Sequence, residues 1–579
     1  MPMCVYFPQI TSLSRADTYF VDFMGTGIKM LLEEYWLDHD PMRFALVATI
    51  PFLFCVSLFF AMSVVGIFTQ SLGPVAQYHQ NSKYYSAIRP AANPVVDNKL
   101  PHITIQMPVY KESLKETIAP SCESLKKAMQ TYARQGGTST IMMCDDGMQL
   151  IDAAQAAERR AYYAEHGIGW IARPGHSSEP DGFKRAGRFK KASNMNYALK
   201  ISLKLEQHLA RFMEDDQALA QARAASQLNR ALKLQQQSQN MHGENGEMSG
   251  FENAIAAAAA MDEEEDGEES LEDMALRAAM DEVYQESGNR FKPWGEHGRA
   301  LRCGEIILIV DSDTIVPEDC LRDAAREMAE SPEVGVIQHE SDVMQVAHNY
   351  FENGIAHFTR RINHAISFAA ANGEVAAFVG HNAFLRWSAI QDVAFIDPAD
   401  GERKIWSESN VSEDFDMALR LQLGGYIVRW ASYSEGGFKE GVSLTADDEL
   451  NRWEKYAYGC SELIFNPIHQ WFTKGPITAQ LHKFVWSGAP VHYKISMMAY
   501  MFSYYGIAAS FTLALLNYLL LGWQLPTDGY YLRSFEIWIG ISFVFPICGN
   551  ISYSILEYRL GHNGLISSFI ENVMWVPFL

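Results

Sequence analysis

The sequence predicts an α/β protein with a mostly parallel sheet, placed between membrane-spanning helices. Apolar runs that end in acidic or turn residues alternate with helix-like segments, which is the pattern of a parallel sheet covered by helices. Long stretches without charged residues flank this central region, and each is long enough to cross a bilayer core of about 30 Å. The chain has 579 residues, of which 48% are hydrophobic and 20% charged, and this composition excludes a wholly disordered protein.

The predicted strands are continuous apolar runs, because a strand buried on both faces shows no polar alternation. These runs cover residues 102–110, 140–147, 306–314 and 334–338. Helix-like segments lie at 114–135, 150–165, 192–209 and 318–329. In open α/β sheets, ligands bind beyond the carboxyl ends of the strands. The sequence therefore predicts a binding site where the acidic residues follow these runs.

The net charge of −22 argues against a nucleic-acid-binding protein, which needs a basic surface. Much of this charge lies in an insert at 204–300, with 15 acidic residues and one basic residue between Glu244 and Glu286. The insert is predicted to be low in complexity and solvated, with a solvated helix possible at Leu271–Tyr284. The eight cysteines lack C-x-x-C spacing, so they predict neither a cysteine zinc site nor a disulfide framework.

The predicted membrane spans are uncharged stretches at 44–69, 495–525 and 537–556. Lysine and arginine residues flank the central region more densely than the loop between the last two spans, and this bias places the central region in the cytosol. The sequence thus predicts a multi-pass integral membrane protein of the plasma membrane. Its active site is expected to face the cytosol, and its spans to contact membrane lipids.

Carboxylates form the candidate reaction centre. Asp311 and Asp313 end an apolar run two residues apart, so their side chains point the same way. Such a pair suits Mg²⁺ or Mn²⁺ bound together with substrate phosphates, although aspartates at strand ends also cap helices. Glu413 and Asp414 precede a helix-like run, where acidic residues are also ordinary helix-capping groups.

An arginine and a tryptophan lie side by side further along the chain, at Arg452 and Trp453. Arginine can neutralise phosphate with forked hydrogen bonds. Tryptophan can stack on the apolar face of a sugar ring, and the pair can equally pack at a membrane interface.

Seven short motifs occur in a fixed order: Pro108-Val-Tyr-Lys-Glu112, Asp145-Asp-Gly147, Lys191-Ala-Ser-Asn-Met-Asn196, Asp311-Ser-Asp313, Gly380-His-Asn-Ala-Phe-Leu-Arg386, Glu413-Asp414 and Arg452-Trp453. This series resembles that of membrane-embedded family 2 glycosyltransferases, the group that holds cellulose, chitin and hyaluronan synthases. The resemblance covers about residues 100 to 460 and the flanking spans. The stretch from Phe465 to Trp471 also resembles a group of fungal family 2 enzymes. The resemblance implies a GT-A-like nucleotide-sugar-binding domain and an inverting reaction.

The resemblance also implies a role for each matched residue. The uridine of a UDP-sugar would be held by Tyr110, Glu112, Asp145 and Asp146. Lys191 would lie near the donor, and Asp311 and Asp313 would bind Mg²⁺ or Mn²⁺ and, through it, the diphosphate.

On the acceptor side, the resemblance makes Asp414 the general base, with Glu413 beside it. Arg452 would steady the leaving diphosphate, and Trp453 would stack on the acceptor sugar. Two positions depart from the family pattern: Glu449 stands where glutamine is usual, and His381 where a small hydroxylated residue is usual. Both departures concern the acceptor rather than the reaction.

The predicted function is metal-dependent transfer of a sugar from a UDP-sugar to a growing polysaccharide, processive and coupled to secretion. One alternative is a non-processive transferase that acts on a lipid-linked acceptor. Another is a catalytically silent membrane scaffold that binds partners through the acidic insert. The lack of a G-x-x-x-x-G-K-[ST] loop argues against a nucleotide-hydrolysing transporter.

The predicted domain organisation divides the central domain into two halves around the insert. The segments are an N-terminal segment (1–43), a span (44–69), the nucleotide-binding half (70–203), the acidic insert (204–300), the metal and acceptor half (301–464), interfacial helices (465–494), two spans (495–525 and 537–556) and an interfacial or truncated segment (561–579).

Overall fold

The computed structural model describes residue 25 and residues 28–214, 270–523 and 547–575. Its strands are β1 (Tyr85–Ser86), β2 (His102–Val109), β3 (Thr138–Asp145), β4 (Gly169–Ala172), β5 (Trp294–Glu296), β6 (Ile306–Ile309), β7 (Val334–His339), β8 (Ser341–Val343), β9 (Ala383–Arg386), β10 (Phe395–Ile396), β11 (Arg403–Lys404), β12 (Ile427–Ala431) and β13 (Phe438–Glu440).

The α-helices within these ranges are α1 (28–38), α2 (Ile50–Leu72), α3 (Pro94–Asp97), α4 (Ala119–Arg134), α5 (Ala153–Glu165), α6 (191–214), α7 (Leu271–Glu286), α8 (Cys320–Glu330), α9 (Tyr350–Ala371), α10 (Trp387–Asp392), α11 (Glu413–Leu423), α12 (Ala446–Ile464), α13 (Trp471–Lys474), α14 (Ala479–Val485), α15 (Val491–Gly522), α16 (547–560) and α17 (Leu565–Trp575). Short 3-10 helices lie at Pro41–Thr49, Ala76–His79, Gly298–Leu301 and Ile468–Gln470, and a π-helical turn at Leu114–Ile118 leads into α4.

A nine-stranded sheet in the order β1-β12-β7-β9-β6-β2-β3-β4-β5 forms the centre of the described chain. Most neighbours in it are parallel, while β9 runs antiparallel to both β6 and β7, and β5 antiparallel to β4. The runs predicted as strands are β2, β3, β6 and β7, and the helix-like segments between them contain α4, α5, α6 and α8. The predicted α/β class with a mostly parallel sheet is confirmed.

Both faces of the sheet are buried, which explains why the strand runs lack polar alternation. In β6, Ile306 and Leu308 join a core with α4, α5 and α8, whereas Ile307 and Ile309 join a second core with α6 and α11. One strand therefore contributes side chains to two hydrophobic cores.

The described end of the acidic insert is folded. In α7, Ala275, Leu276 and Ala279 are buried against α6, where they share a hydrophobic cluster with Leu205 and Leu209. After α7 the chain enters β5, at the edge of the main sheet. The helix expected near Leu271 is thus present but only half solvated, and residues 215–269 lie outside the described residues.

The prediction of a multi-pass integral membrane protein with a cytosol-facing site at the plasma membrane is wrong. Across the ranges that the structure describes, no helix combines the length and the apolar character needed to cross a bilayer. Part of the third predicted span, residues 537–546, lies outside those ranges. The predicted contacts with membrane lipids depended on these spans and are no longer supported.

Packing within the protein accounts for part of the uncharged stretches, although Leu515 of α15 is 51% exposed. Leu58 of α2 is buried in a cluster with Phe415 of α11, Leu463 of α12 and Met501 of α15. A run without charges predicts only that its side chains leave water, and a protein interior meets this requirement as well as a bilayer does. The predicted domain boundaries remain a prediction.

Candidate functional site

The site lies where β2, β3 and β6 end. Because β2 pairs in parallel with both β3 and β6, their carboxyl ends meet at one edge of the sheet. Tyr110 follows β2, Asp145 ends β3, and Asp311 comes two residues after β6. The topology therefore brings three of the sequence motifs together.

Asp145 is completely buried and forms a closed set of hydrogen bonds. Arg159 Nη1 donates to both of its carboxylate oxygens at 2.9 Å, and the Tyr163 hydroxyl donates at 2.9 Å. The backbone N–H of Gly147 donates to Asp145 Oδ1, also at 2.9 Å. A Cβ at residue 147 would stand 1.6 Å from the Tyr110 carbonyl oxygen, so only glycine fits this turn. Asp145 holds the loop in shape, and both of its carboxylate oxygens accept hydrogen bonds from the protein.

Asp146 is likewise paired with arginines. Arg173 donates from Nε to Oδ1 at 2.9 Å and from Nη2 to Oδ2 at 2.5 Å, and Arg185 Nη1 lies 3.6 Å from Oδ2. All three side chains are buried. Arg173 also donates to the Ser193 hydroxyl at 2.8 Å, which links Asp146 to the start of α6.

Tyr110 and Glu112 form the open part of the predicted nucleotide site. Tyr110 is 47% exposed, and its backbone N–H donates to Glu112 Oε2 at 2.6 Å. The tyrosine ring is half exposed with the Lys111 ammonium 5.6 Å from its centroid, while the buried aspartates support the loop beneath it.

Replacing Asp145 by Asn is expected to lower the free energy of unfolding by about 3 kcal/mol, because it leaves the Arg159 charge buried without its partner. Urea unfolding of the purified protein measures this. Asp181→Asn is the matched control, since Asp181 is 96% exposed in its ion pair with Arg290 and surface pairs contribute little. Unchanged stability together with lost nucleotide binding would instead make Asp145 a direct ligand contact.

Lys191 and Asp311 form the central ion pair. Lys191 Nζ lies 2.6 Å from Asp311 Oδ1 and 3.4 Å from the Gly380 carbonyl oxygen. Burial opposes the charge on the amine, but Asp311 and Glu413 raise the pKa of Lys191 to about 12. Burial also opposes the charge on the carboxylate, and Lys191 nevertheless holds the pKa of Asp311 down to about 2. Both groups are therefore ionised at neutral pH.

Asp313 provides a second carboxylate beside Asp311. Burial and the charge of Asp311 raise the pKa of Asp313, which shows that the two carboxylates repel each other. Within the described ranges Asp313 forms no ion pair with a basic side chain. A Cβ at Gly441 would stand 2.2 Å from Asp313 Oδ2, so the backbone approaches this carboxylate as only glycine allows. Repelling carboxylates of this kind fit a divalent cation that takes its remaining ligands from phosphate and water.

Glu413 and Asp414 begin α11 next to this ion pair. A Cβ at Gly380, which has a φ of +78°, would stand 3.0 Å from Asp414 Oδ2. The carbonyl of the same glycine contacts Lys191, so Gly380 links the Asp414 carboxylate to the Lys191–Asp311 pair. Burial raises the pKa of Asp414, and burial together with Asp414 raises the pKa of Glu413 to about 7. Asp414 is thus a carboxylate suited to accept a proton.

Two further residues, His381 and Glu440, complete this part of the site. His381 Nε2 forms a hydrogen bond with Glu440 Oε2, and its Nδ1 lies 4.0 Å from Asp311 Oδ2. Burial favours the neutral ring, but Glu440 and Asp311 raise the pKa of His381 to about 9. Sequence reasoning missed Glu440, whose only signal is its place at the end of a short strand before Gly441.

The helix α12 contributes Arg452 and Trp453. Arg452 Nε donates to the Tyr456 hydroxyl at 2.8 Å. Burial works against the charge, but Tyr456 and Glu440 raise the pKa of Arg452. Trp453 is 42% exposed, and its Nε1 donates to Glu449 Oε1 at 2.9 Å. The glutamate that departs from the family pattern therefore orients the tryptophan.

The structure thus brings Lys191, Asp311, Asp313, Asp414 and Arg452 into one region. Lys455, which sequence reasoning missed, belongs to it too, since its charge helps to lower the pKa of Asp311. Asp145 and Asp146 adjoin this region but are occupied by arginines.

Part of the chain is similar to known proteins. Residues 306–525 match the profile of the glycosyl transferase family group 2. The glucans biosynthesis glucosyltransferase H of Xanthomonas campestris pv. campestris is 28% identical over 155 residues, which are 26% of this chain and 24% of that protein. The protein of the same name from Pseudomonas paraeruginosa is 26% identical over 184 residues, 31% of this chain and 20% of that protein. The match thus spans about a quarter of the length of these relatives.

Among solved structures, the mannosyltransferase PcManGT from Pyrobaculum calidifontis, in complex with GDP-Man and Mn2+, aligns over 89% of this chain and 99% of its own, with 11% identity and a TM-score of 0.36. The family match and the glucosyltransferase relatives confirm the predicted enzyme class, a glycosyltransferase, and argue against the alternative of a catalytically silent scaffold. Residues 306–525 of this glycosyltransferase are thus similar to the glycosyl transferase family group 2.

Proposed function

We propose that the protein transfers a sugar from a UDP-sugar to a growing polysaccharide, with inversion at the anomeric carbon and with Mg²⁺ or Mn²⁺. The observation that carries this proposal is the position of Gly380. Gly380 lies against Asp414, the proposed proton acceptor, and its carbonyl contacts Lys191, which is ion-paired with Asp311 of the proposed metal site. Glycosyl transfer to a hydroxyl group needs a proton acceptor beside a site that binds the diphosphate of the donor.

Donor binding is assigned to the edge of the sheet. The exposed ring of Tyr110 would lie against the uracil, with Glu112 beside it and the loop of Asp145 and Asp146 as support. Asp311 and Asp313 would hold the divalent cation, which offsets negative charge on the diphosphate when bound. The Lys191 ammonium, already at Asp311, would lie beside the donor.

The reaction itself is a single displacement. Asp414 takes the proton of the acceptor hydroxyl as the acceptor oxygen forms its bond to the anomeric carbon. The bond from this carbon to the diphosphate breaks, and its electron pair leaves with UDP. Arg452 offsets the charge that develops on the diphosphate, and Glu413 accommodates a proton near Asp414 because its pKa is about 7.

The acceptor is assigned to the side of α12. Trp453 offers an exposed ring whose orientation is held by Glu449, and an aromatic face of this kind can stack on a sugar ring. The relatives from Xanthomonas and Pseudomonas are named for glucan biosynthesis, which supports a polymeric product and a glucosyl donor.

A panel of radiolabelled UDP-sugars, incubated with the purified full chain and Mg²⁺, tests the function. UDP-glucose is expected to give the fastest incorporation, with products of many residues on a sizing gel. The alternative transferase for a lipid-linked acceptor predicts single-sugar products that partition into organic solvent. Products of that kind alone would refute polymer synthesis but keep the transfer chemistry, whereas no incorporation from any donor would refute both.

A further inference from the structure

Outside the catalytic site, the described residues hold two groups of three metal-ligating side chains whose ligand atoms lie within 4.8 Å of one another. One group consists of Asp397, Asp400 and Glu408. The ammonium of Lys404 lies between them, at 3.0, 2.5 and 2.8 Å from their oxygens, and so occupies the position of a cation. The other group is His364, Glu557 and His562, and it combines two imidazoles with one carboxylate.

The geometry of this second group suits a single cation. Glu557 Oε1 lies 3.1 Å from His364 Nδ1 and 3.6 Å from His562 Nδ1. In tetrahedral coordination with bonds of about 2.0–2.1 Å, two ligand atoms on zinc are about 3.3 Å apart. The carboxylate oxygen is therefore at nearly the distance from each imidazole that a shared zinc ion imposes, and the three ligand atoms all lie within 4.8 Å of one another.

The surroundings of His364 add a second, independent observation. The other ring nitrogen, Nε2, lies 3.9 Å from Glu340 Oε1, and the Ser367 hydroxyl donates to Glu340 Oε2 at 3.1 Å. Histidines that bind metals usually present their second nitrogen to a carboxylate, which fixes the ring and its tautomer. Glu340 is placed for this role, and it follows directly after β7 in the main sheet.

Burial and access are also suitable. The Glu557 side chain is only 7% exposed, so its charge needs compensation. A cavity of about 330 Å³ is lined by His364, Tyr553 and Glu557 and so opens onto two of the three proposed ligands.

We propose that His364, Glu557 and His562 form a zinc site that fastens the C-terminal helices to α9. His364 lies on α9, Glu557 on α16, and His562 on the turn before α17, so one ion would join three segments. Two imidazoles and a carboxylate are typical zinc ligands, whereas the carboxylates Asp311 and Asp313 suit Mg²⁺ or Mn²⁺. The two sites are thus separable by metal chemistry.

Zinc content of the purified full chain tests the proposal. The protein is stripped with a chelator, refilled with zinc, freed of loosely bound metal and analysed by mass spectrometry, and its thermal midpoint is recorded in each state. The wild type is expected to retain one zinc per chain and to unfold at a higher temperature when loaded. The double variant His364→Ala/His562→Ala is expected to lose both effects.

Two control variants separate this site from other zinc binding. His469→Ala removes an exposed histidine that is distant in the sequence from His364 and His562. Asp313→Asn removes a carboxylate of the catalytic centre. Both are expected to keep the zinc. Equal zinc retention in the wild type and the double variant would overturn the proposal, and so would loss of zinc in Asp313→Asn alone.

A measurement on the wild type keeps the test valid if the double variant fails to fold. Cobalt(II) replaces zinc in the stripped protein, and its visible spectrum reports the coordination geometry. Intense bands of tetrahedral cobalt that zinc displaces in a one-to-one titration would support the site. Weak octahedral bands, or none, would overturn it.

Discussion

Replacing Asp414 by Asn is expected to lower the rate of sugar transfer by about 10³-fold, the scale of a lost general base. Asn keeps the size and the hydrogen bond that the Phe415 N–H donates at 2.8 Å, but it cannot accept a proton from an acceptor hydroxyl. Burial raises the pKa of Asp414 and so brings its basicity closer to the working pH. Binding of the UDP-sugar, measured by calorimetry, is expected to persist, because the donor is assigned to other residues.

Two neighbouring variants make this test specific. Asp447→Asn is the matched control, since Asp447 is an exposed aspartate in the first turn of α12, and this variant should transfer sugar like the wild type. Glu413→Gln separates the paired carboxylates of α11. If Glu413→Gln abolished transfer while Asp414→Asn retained it, the general base would be Glu413, and the assignment to Asp414 would be wrong.

Removing divalent metal is expected to abolish transfer, and Asp313→Asn is expected to lower the rate by about 10²-fold or more at moderate Mg²⁺. The charge that develops on the departing diphosphate needs compensation, and electrostatic groups of this kind are often worth two to three orders of magnitude in rate. The Lys191 ammonium already neutralises Asp311, which leaves Asp313 as the carboxylate without a basic partner among the described side chains. Initial rates measured against Mg²⁺ and Mn²⁺ concentration should show a higher metal requirement in the variant.

Adding a single metal back to the chelator-treated enzyme distinguishes the catalytic Mg²⁺ or Mn²⁺ from the proposed zinc. Chelator-treated enzyme that receives Mg²⁺ alone should recover its transfer rate, since the zinc site lies on α9 and the C-terminal helices. Full transfer in excess chelator would contradict the assignment of Asp311 and Asp313 as metal ligands.

The sequence was sufficient for the parts of the fold that depend on local pattern. The continuous apolar runs predicted β2, β3, β6 and β7 because a parallel sheet needs no polar face. The ordered motifs also pointed to Lys191, Asp311 and Asp414, and the structure places these three around Gly380. Their meeting follows from the parallel pairing of adjacent strands and from β9, which returns the chain to the same edge.

The sequence did not reveal which residues from other segments pair with the candidate site residues. The sequence offered Asp145 and Asp146 as uridine contacts, but Arg159, Arg173 and Arg185, which neutralise them, belong to no recognised motif. An ion pair between segments depends on tertiary contacts that no local spacing encodes. The membrane prediction failed for a related reason, because some of the apolar side chains of α2 and α15 pack against α11 and α12.

The packing of α6 against α7 bears on how the enzyme can be altered. Lys204 of α6 is bound by both Glu282 and Glu286 of α7, so the helices on either side of residues 215–269 are fastened to each other. Lys191 is the first residue of α6, about three and a half turns before Lys204. If the polypeptide were cut once within 215–269, the two new ends would therefore stay joined through α6 and α7, by these ion pairs and by the hydrophobic cluster that the two helices share.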